Sequence, residues 1–291
     1  MNMEKVYCYF HNDDMDGWAS SAVVKMKHPN AEFHGYNYEP NLKLANGYDI
    51  VYMVDCSVPA KDMEYLIKHN KKFIWIDHHA KKILDICKEL GGEIKGIRDT
   101  NSKNSACVLT WRYLFPDDEV PFILESIEDM DIWKWEQPMT DEINMTLFID
   151  YKENRDRIML LLGGSFELDK LIDRGKCYIK MRDNQIDYIL ETMQTKTFHG
   201  HKTGVVNSPV HQSHIGAEML KRNPDIQISM IWYASGALIR VSLRTRGDID
   251  VSEIAAKYGG GGHKPASGFE LDISNPKGRS IFMNLIKGEM K

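Results

Sequence analysis

Three places in the first half of this 291-residue chain gather acidic and imidazole side chains: His11-Asn12-Asp13-Asp14-Met15-Asp16-Gly17, Asp55, and Asp77-His78-His79. Each follows a short β-rich run, Val6 to Phe10, Ile50 to Val54 and Lys72 to Ile76. Carboxylates so concentrated repel one another unless cations sit between them, and oxygen with imidazole donors suits Mn²⁺ or a similar hard-to-borderline metal. Taken alone, an aspartate before glycine, as at Asp16, reads as a turn or helix N-cap, and a His-His pair as one packed and one exposed ring. Independent capping roles would not put the same chemistry at three strand ends, and that repetition favours a metal site.

These residues need a scaffold that brings strand ends together. The first half alternates β-rich runs with helix-like stretches (Trp18 to Lys27, Ala60 to His69, Ser105 to Phe115), the pattern of a mostly parallel α/β sheet with right-handed crossovers. In such sheets, sites form at the carboxyl ends of the strands. From about Phe166 to Met193, apolar residues recur at helical spacing, among them Leu168, Leu171, Ile172, Ile186 and Leu190. This predicts a long connecting helix. Beyond it, strands are expected over Lys202 to Asn207, Ile226 to Tyr233 and Ala237 to Leu243, with helices over His214 to Lys221 and Val251 to Tyr258. The expected organisation is a domain over residues 1–190 that includes the connecting helices, a hinge near residues 190–200, and a smaller mixed α/β domain over residues 196–291.

Composition narrows the function. The content is 43% hydrophobic and 27% charged, as in ordinary globular proteins, and no stretch approaches 18 consecutive apolar residues. Membrane spanning is disfavoured. The five cysteines lack any CxxC pair, which fits a reducing cytoplasm, and Cys56 beside Asp55 is expected to be a small buried hydrophobe. A net charge of −5 argues against a grip on long duplex nucleic acid. Residues 1–195 carry 24 basic against 34 acidic side chains, residues 196–291 carry 13 against 8. That asymmetry suits cations in the first domain and an anionic substrate in the second.

The motifs resemble those of the DHH superfamily of phosphoesterases, named for the triplet present here as Asp77-His78-His79. His11-x-x-Asp14-x-Asp16-Gly17 resembles its first motif, Val54-Asp55 its second, and Asp131 in Asp129-Met130-Asp131-Ile132-Trp133 its fourth. Gly259-Gly260-Gly261-Gly262-His263, followed by Ala266-Ser267-Gly268-Phe269 and preceded by Ser242-Leu243-Arg244, is similar to the glycine-rich signature of DHHA1 domains. The resemblance implies that His11, Asp14, Asp16, Asp55, His78 and Asp131 coordinate two Mn²⁺ ions, with Mg²⁺ or Co²⁺ as substitutes and Asp55 shared. It implies that Asp77 orients His78 and that His79 contacts the reacting phosphate or the metal shell, so Asp55, Asp77, His78 and His79 form the expected catalytic group. Asp13 competes with Asp14. Asp129 competes with Asp131, which is preferred because the family motif places a tryptophan two residues after the aspartate.

In the second domain, Gly260, Gly261, Gly262, His263, Lys264 and Arg244 are the expected substrate contacts, with glycine N–H groups facing phosphate and Arg244 and His263 facing the base or phosphate of a terminal nucleotide. The expected activity is hydrolysis of phosphodiester bonds in short oligonucleotides or small nucleotides by a water that two metals activate, giving nucleoside monophosphates. No membrane partner is expected, and a homodimer is compatible with the sequence. Two rivals stand beside this reading: a polyphosphate or pyrophosphate hydrolase sharing the metal site, and a nucleotide-binding regulator without catalysis. Of the tryptophans, only Trp133 and Trp135, beside the fourth motif, are singled out as candidates to stack on a base.

Overall fold

The computed structural model describes residues 4–101, 103–164 and 167–287. The chain forms two compact units, one ending at Ile179 and the other beginning at Lys180. In the first, strands β1 (Val6–His11), β2 (Glu32–Tyr36), β3 (Ile50–Val54) and β4 (Phe73–Ile76) form one sheet in the order β2-β1-β3-β4, every pair parallel. Helices α1 (Met15–Lys27), α2 (Ala60–His69) and α3 (Ala80–Leu90) follow β1, β3 and β4. Helices α4 (Ala106–Leu114), α5 (Phe122–Asp131), α6 (Thr140–Thr146) and α7 (Arg155–Leu162) complete the unit, with one π-helical turn over Leu147–Tyr151.

Side-chain alternation along the strands divides the core into two layers. Cys8, Phe10, Tyr52, Val54, Ile74 and Ile76 face a cluster built with residues of α1, α4, α5 and α7. Tyr9, Val51, Met53, Phe73 and Trp75 face the other way, against Met63, Leu66, Ile83 and Ile86 of α2 and α3. With both faces covered, β3 and β4 read as continuous apolar runs and are buried throughout. Trp75 is fully buried, and its burial contributes roughly 4 to 6 kcal/mol of transfer free energy before entropic losses.

Helix α8 (Leu168–Leu190) places Leu171 in the core of the first unit and Ile186 in that of the second. Phe166, where the expected helix starts, lies outside the described residues. The second unit is a six-stranded mixed sheet of β5 (Gln194–Phe198), β6 (His201–Asn207), β7 (Ile228–Ser235), β8 (Leu238–Thr245), β9 (Gly261–His263) and β10 (Ala266–Asp272), in the order β5-β6-β7-β8-β10-β9. Only β6 and β7 pair in parallel; the other neighbours are antiparallel. Helices α9 (Gln212–Arg222), α10 (Val251–Ala256) and α11 (Pro276–Lys287) complete it. No helix among the described residues is long and apolar enough to cross a membrane.

Candidate active site

Sheet register brings the motif residues together. Phe10 pairs with Val54 and Val54 with Ile76, so the residues that follow, His11, Asp55 and Asp77, lie side by side at the carboxyl edge of three adjacent strands. Chain spacing across such an edge is about 4.8 Å per strand. Immediately after β1 the chain doubles back: a Cβ on Gly17 would lie 1.9 Å from the His11 carbonyl oxygen, so only glycine lets α1 start this close to the strand end. The N-cap of α1 is Asp14, whose Oδ1 accepts the Gly17 N–H at 2.9 Å while Oδ2 faces His11 Nδ1 at 2.7 Å. Asp16 is no cap. Its carboxylate accepts the N–H groups of Ala106 at 2.8 Å and Cys107 at 2.7 Å, which fixes it against the N-terminus of α4.

The remaining donors converge on Asp55 and His78. His78 Nε2 lies 3.4 Å from Asp55 Oδ1, 3.5 Å from Asp131 Oδ2 and 3.6 Å from Asp16 Oδ2. His11 Nδ1 lies 3.6 Å from Asp55 Oδ2, and His79 Nδ1 lies 3.9 Å from Asp55 Oδ1. Three groups of donor atoms are each mutually within 4.8 Å: His11, Asp14 and Asp55; Asp16, His78 and Asp131; and Asp55, His78 and His79. All six expected metal ligands therefore meet at one edge. Donors sharing a divalent ion at about 2.1 Å lie about 3.0 to 3.5 Å apart, close to most of these separations and long for direct hydrogen bonds.

Unsatisfied chemistry supports the fit. Both oxygens of Asp55 and Oδ2 of Asp131 are buried without a hydrogen-bond partner, although an unpaired buried polar group typically costs about 1 to 3 kcal/mol or more. Asp55 also holds φ at +56°, a left-handed conformation kept by the surrounding structure. Asp131 ends α5, where the helix dipole opposes a carboxylate and favours a cation. Four carboxylates, those of Asp14, Asp16, Asp55 and Asp131, would balance two divalent ions. Without metal the cluster holds protons instead. Burial and the neighbouring Asp55 charge push Asp16 up to about 7, and burial with the Asp16 charge pushes Asp131 well above the carboxylate range. Burial would lower His11 and His78, but the carboxylates beside them hold both up to about 11.

The alternatives left open by the sequence separate cleanly in space. The Asp129 carboxylate accepts the N–H groups of Glu136 (2.8 Å) and Gln137 (3.0 Å) and the Thr140 hydroxyl (2.5 Å), so it braces the following loop. Asp13 is exposed, and its carbonyl accepts from Lys152 Nζ at 2.6 Å. The expected action of Asp77 on His78 needs correction. Asp77 Oδ1 accepts the backbone N–H of His78 at 2.8 Å, but the ring it holds is that of His79, whose Nδ1 lies at 2.7 Å. Both imidazoles follow the same strand end, and only the His79 ring folds back onto the Asp77 carboxylate. Burial raises the Cys56 thiol well above its ordinary pKa, consistent with a buried hydrophobe.

Two nearby residues escaped the sequence reading. Lys82, in the first turn of α3, places its ammonium 3.3 Å from the centre of the Tyr38 ring, itself 5.8 Å from the His11 ring. A lysine in an amphipathic helix and a tyrosine in a loop carry no local signal of this pairing. Their meeting depends on how α3 and the segment after β2 return to the sheet edge.

In the second unit, Ala266 is the register partner of both Arg244 on β8 and His263 on β9, so these two residues occupy one cross-strand row, about 10 Å apart. Arg244 donates to Ser213 Oγ at 2.8 Å and to the Leu243 carbonyl at 2.9 Å. Burial lowers its pKa, and among the described residues no carboxylate forms an ion pair with it, which leaves a half-buried cation suited to an anionic ligand. The glycine run is more ordered than an open phosphate loop. The N–H groups of Gly259 and Gly260 bond to the Ala256 and Ala255 carbonyls at the end of α10, and Gly261 to His263 form the edge strand. A Cβ at Gly260 would lie 2.1 Å from the Gly268 carbonyl oxygen, so close strand packing accounts for part of the glycine content. Lys264 lies 3.6 Å from Asp248 at the adjoining turn.

Comparison with known proteins agrees with this arrangement. The model of the DHH family N-terminal domain matches residues 5–121, and that of the DHHA1 domain matches residues 205–278. Asp131 falls beyond the first match, so its place in the site rests on geometry. The chain is 29% identical to the oligoribonuclease NrnB of Bacillus subtilis, over 91% of this chain and 72% of that protein. It is 27% identical to an uncharacterised protein of Acanthamoeba polyphaga mimivirus, over 93% of this chain but only 59% of that protein's length. Among solved structures, a pGpG-specific phosphodiesterase, PggH from Vibrio cholerae, shares the fold with a TM-score of 0.53 at 13% identity, over 98% of both chains. An exonuclease RecJ bound to manganese does so with a TM-score of 0.51 at 13% identity, over 95% of this chain and 88% of that one. With both domains matched in order over the first three DHH motifs and the glycine-rich signature, the chain is a member of the DHH superfamily that carries a C-terminal DHHA1 domain.

Proposed function

We propose that this protein is a metal-dependent phosphodiesterase that hydrolyses short oligonucleotides or dinucleotides to nucleoside monophosphates. The observation that carries the reading is the convergence of Asp14, Asp16, Asp55, Asp131, His11 and His78, with both Asp55 oxygens buried and unsatisfied. His11 and Asp14 would hold one ion, Asp16, His78 and Asp131 the other, and Asp55 would be shared. Mn²⁺ suits the mixed oxygen and imidazole donors. Two such ions would supply Lewis acidity to the attacking water and positive charge to the phosphate.

The chain's own groups do the rest. Asp77 accepts from Nδ1 of His79; burial would lower that ring's pKa, but the Asp77 and Asp55 carboxylates hold it above its ordinary value, so the protonated ring has an Nε2–H to donate to a phosphate oxygen. Lys82, held over Tyr38, adds a cation near the rim of an otherwise acidic cluster. In the second unit, Arg244 and His263 would take the terminal nucleotide, since guanidinium and imidazole planes stack on any base and bind phosphate. The Bacillus relative is an oligoribonuclease, which supports short nucleic acid as the substrate class.

The test is a substrate panel with Mn²⁺ and with EDTA: a labelled oligonucleotide of two to five nucleotides, pAp, a cyclic dinucleotide and polyphosphate. Release of monophosphates from the short oligonucleotide, abolished by EDTA, is the expected result. Preference for polyphosphate, or turnover that persists in EDTA, would overturn the assignment.

A further inference from the structure

We propose that Lys82 determines substrate specificity: its ammonium, seated on the Tyr38 ring beside the acidic cluster, takes a phosphate of the substrate next along the strand from the phosphate being cleaved. This rests on the short-nucleic-acid reading above. Lys82 lies in the first turn of α3, which His79 caps. A cation there opposes the helix dipole, so helix stability does not account for it. Neutralisation of the cluster does not account for it either. A lysine serving that end would sit against a carboxylate, yet both Asp55 oxygens are buried without a hydrogen bond while the Lys82 ammonium rests 3.3 Å from the centre of the Tyr38 ring. Among the described residues no carboxylate forms an ion pair with it. With the carboxylates of Asp14, Asp16, Asp55 and Asp131 balanced by divalent ions, this positive charge is left for an anionic ligand.

The ring that seats the ammonium is itself held in place. Tyr38 has φ at +63°, a left-handed conformation that a bulky side chain keeps only where its surroundings enforce it. The Asn37 side chain accepts the Asn12 N–H at 3.1 Å, and the Asn37 N–H donates to Glu39 Oε2 at 2.7 Å, which ties this segment to the chain just after β1. The Tyr38 ring then lies 5.2 Å from that of Tyr36 and 5.8 Å from that of His11. One tyrosine ring therefore stands between an expected metal-ligand imidazole and the ammonium. Lys82 is set back from the cleaved phosphate and placed for its neighbour. Lys82 is exposed and Tyr38 is 39% exposed, so a ligand reaches both. The protein around the ammonium still lowers its pKa, and the Asp77 and Asp55 charges act against that shift, as expected at the rim of an acidic site.

The experiment uses the full chain with Mn²⁺ and measures kcat/KM for cleavage of the internucleotide bond in ApA, pApA and ApAp, which carry a terminal phosphate at neither end, the 5′ end or the 3′ end. Wild type should cleave at least one of the phosphorylated dinucleotides about tenfold better than ApA, through a lower KM, the scale of one charge-assisted contact. Lys82→Met, which keeps the apolar stem and removes the charge, should abolish that preference, and Lys82→Arg should keep most of it. Tyr38→Leu should weaken the preference about threefold by unseating the ammonium, whereas Tyr38→Phe should preserve it. Wild type with no preference for either terminal phosphate, or a preference that survives in Lys82→Met, overturns the role. An equal loss on all three compounds in Lys82→Met would make the residue a support of the metal cluster and overturns it as well. Wild type that cleaves none of the three defeats the functional reading itself and this role with it, whereas cleavage without a Lys82-dependent preference defeats this role alone.

Discussion

The two units prepare for charge in opposite ways. The first brings four aspartates and two histidines to one sheet edge and leaves buried oxygens of Asp55 and Asp131 without a hydrogen bond, the nearest imidazole nitrogens standing 3.4 to 3.6 Å away. In the second, β-sheet register sets Arg244 and His263 in one row, and the Arg244 guanidinium is braced by Ser213 and the Leu243 carbonyl. Local bonds thus brace the guanidinium without neutralising it. The acidic cluster, by contrast, sets donor atoms close enough together to share cations.

The sharpest way to break the contrast is at Asp55. Asp55→Asn keeps a side chain that tolerates φ of +56° and removes the shared charge. We expect turnover to fall about a thousandfold or more, with lost Mn²⁺ stoichiometry by metal analysis and an unchanged circular dichroism spectrum. Retained metal and turnover would contradict the assignment. Arg244→Ala should act on the other side, raising KM about tenfold with little change in kcat, as expected when one charge-assisted contact to bound substrate is lost. A fall confined to kcat would place Arg244 in the chemistry instead.

Metal removal sharpens the comparison further. In the metal-free chain Asp16 is raised from 3.8 to about 7, by burial first and by Asp55 second. Between those values the folded state binds more protons than the unfolded one, so stability falls as pH rises through that window. The raised His11 and His78 act in the same sense, losing their contribution between 6.5 and about 11. Melts in EDTA should lose several degrees between about pH 4.5 and 7.5, and saturating Mn²⁺ should abolish or reverse the loss because ions bind the deprotonated carboxylates. A flat profile in EDTA would show the cluster to be self-satisfied. The smallest effect belongs to Asp13→Asn: an exposed residue outside the cluster should leave kcat within about twofold and stability within about 0.5 kcal/mol.

Much of the first unit was legible in the sequence. The strands before His11, Asp55 and Asp77 announce themselves as apolar β-rich runs because their faces are covered on both sides, and Ala60–His69 carries a clear amphipathic pattern. The β2 strand was not legible. Glu-Phe-His-Gly-Tyr has no strong period, and it becomes a strand by pairing along the edge of β1. In the second unit, β10 shows alternation, with Ser267, Phe269 and Leu271 buried, but the glycine-rich signature running through it masks the strand pattern. The helix that carries Asp131 at its end, Phe122–Asp131, also went unassigned, so its dipole could not be weighed.

By itself the sequence determined the residue types at the strand ends, the order of the motifs and the division into an acidic and a basic part, because these are properties of composition and local pattern. Tertiary structure decided which aspartate of each close pair joins the cluster, turning Asp14 and Asp131 toward it while Asp13 faces solvent and Asp129 braces a loop. It also gave Asp77 the ring of His79 and set Lys82 over Tyr38. Those outcomes depend on where each side chain finds its hydrogen-bond donors. The donors are backbone N–H groups and rings that only the folded chain brings near.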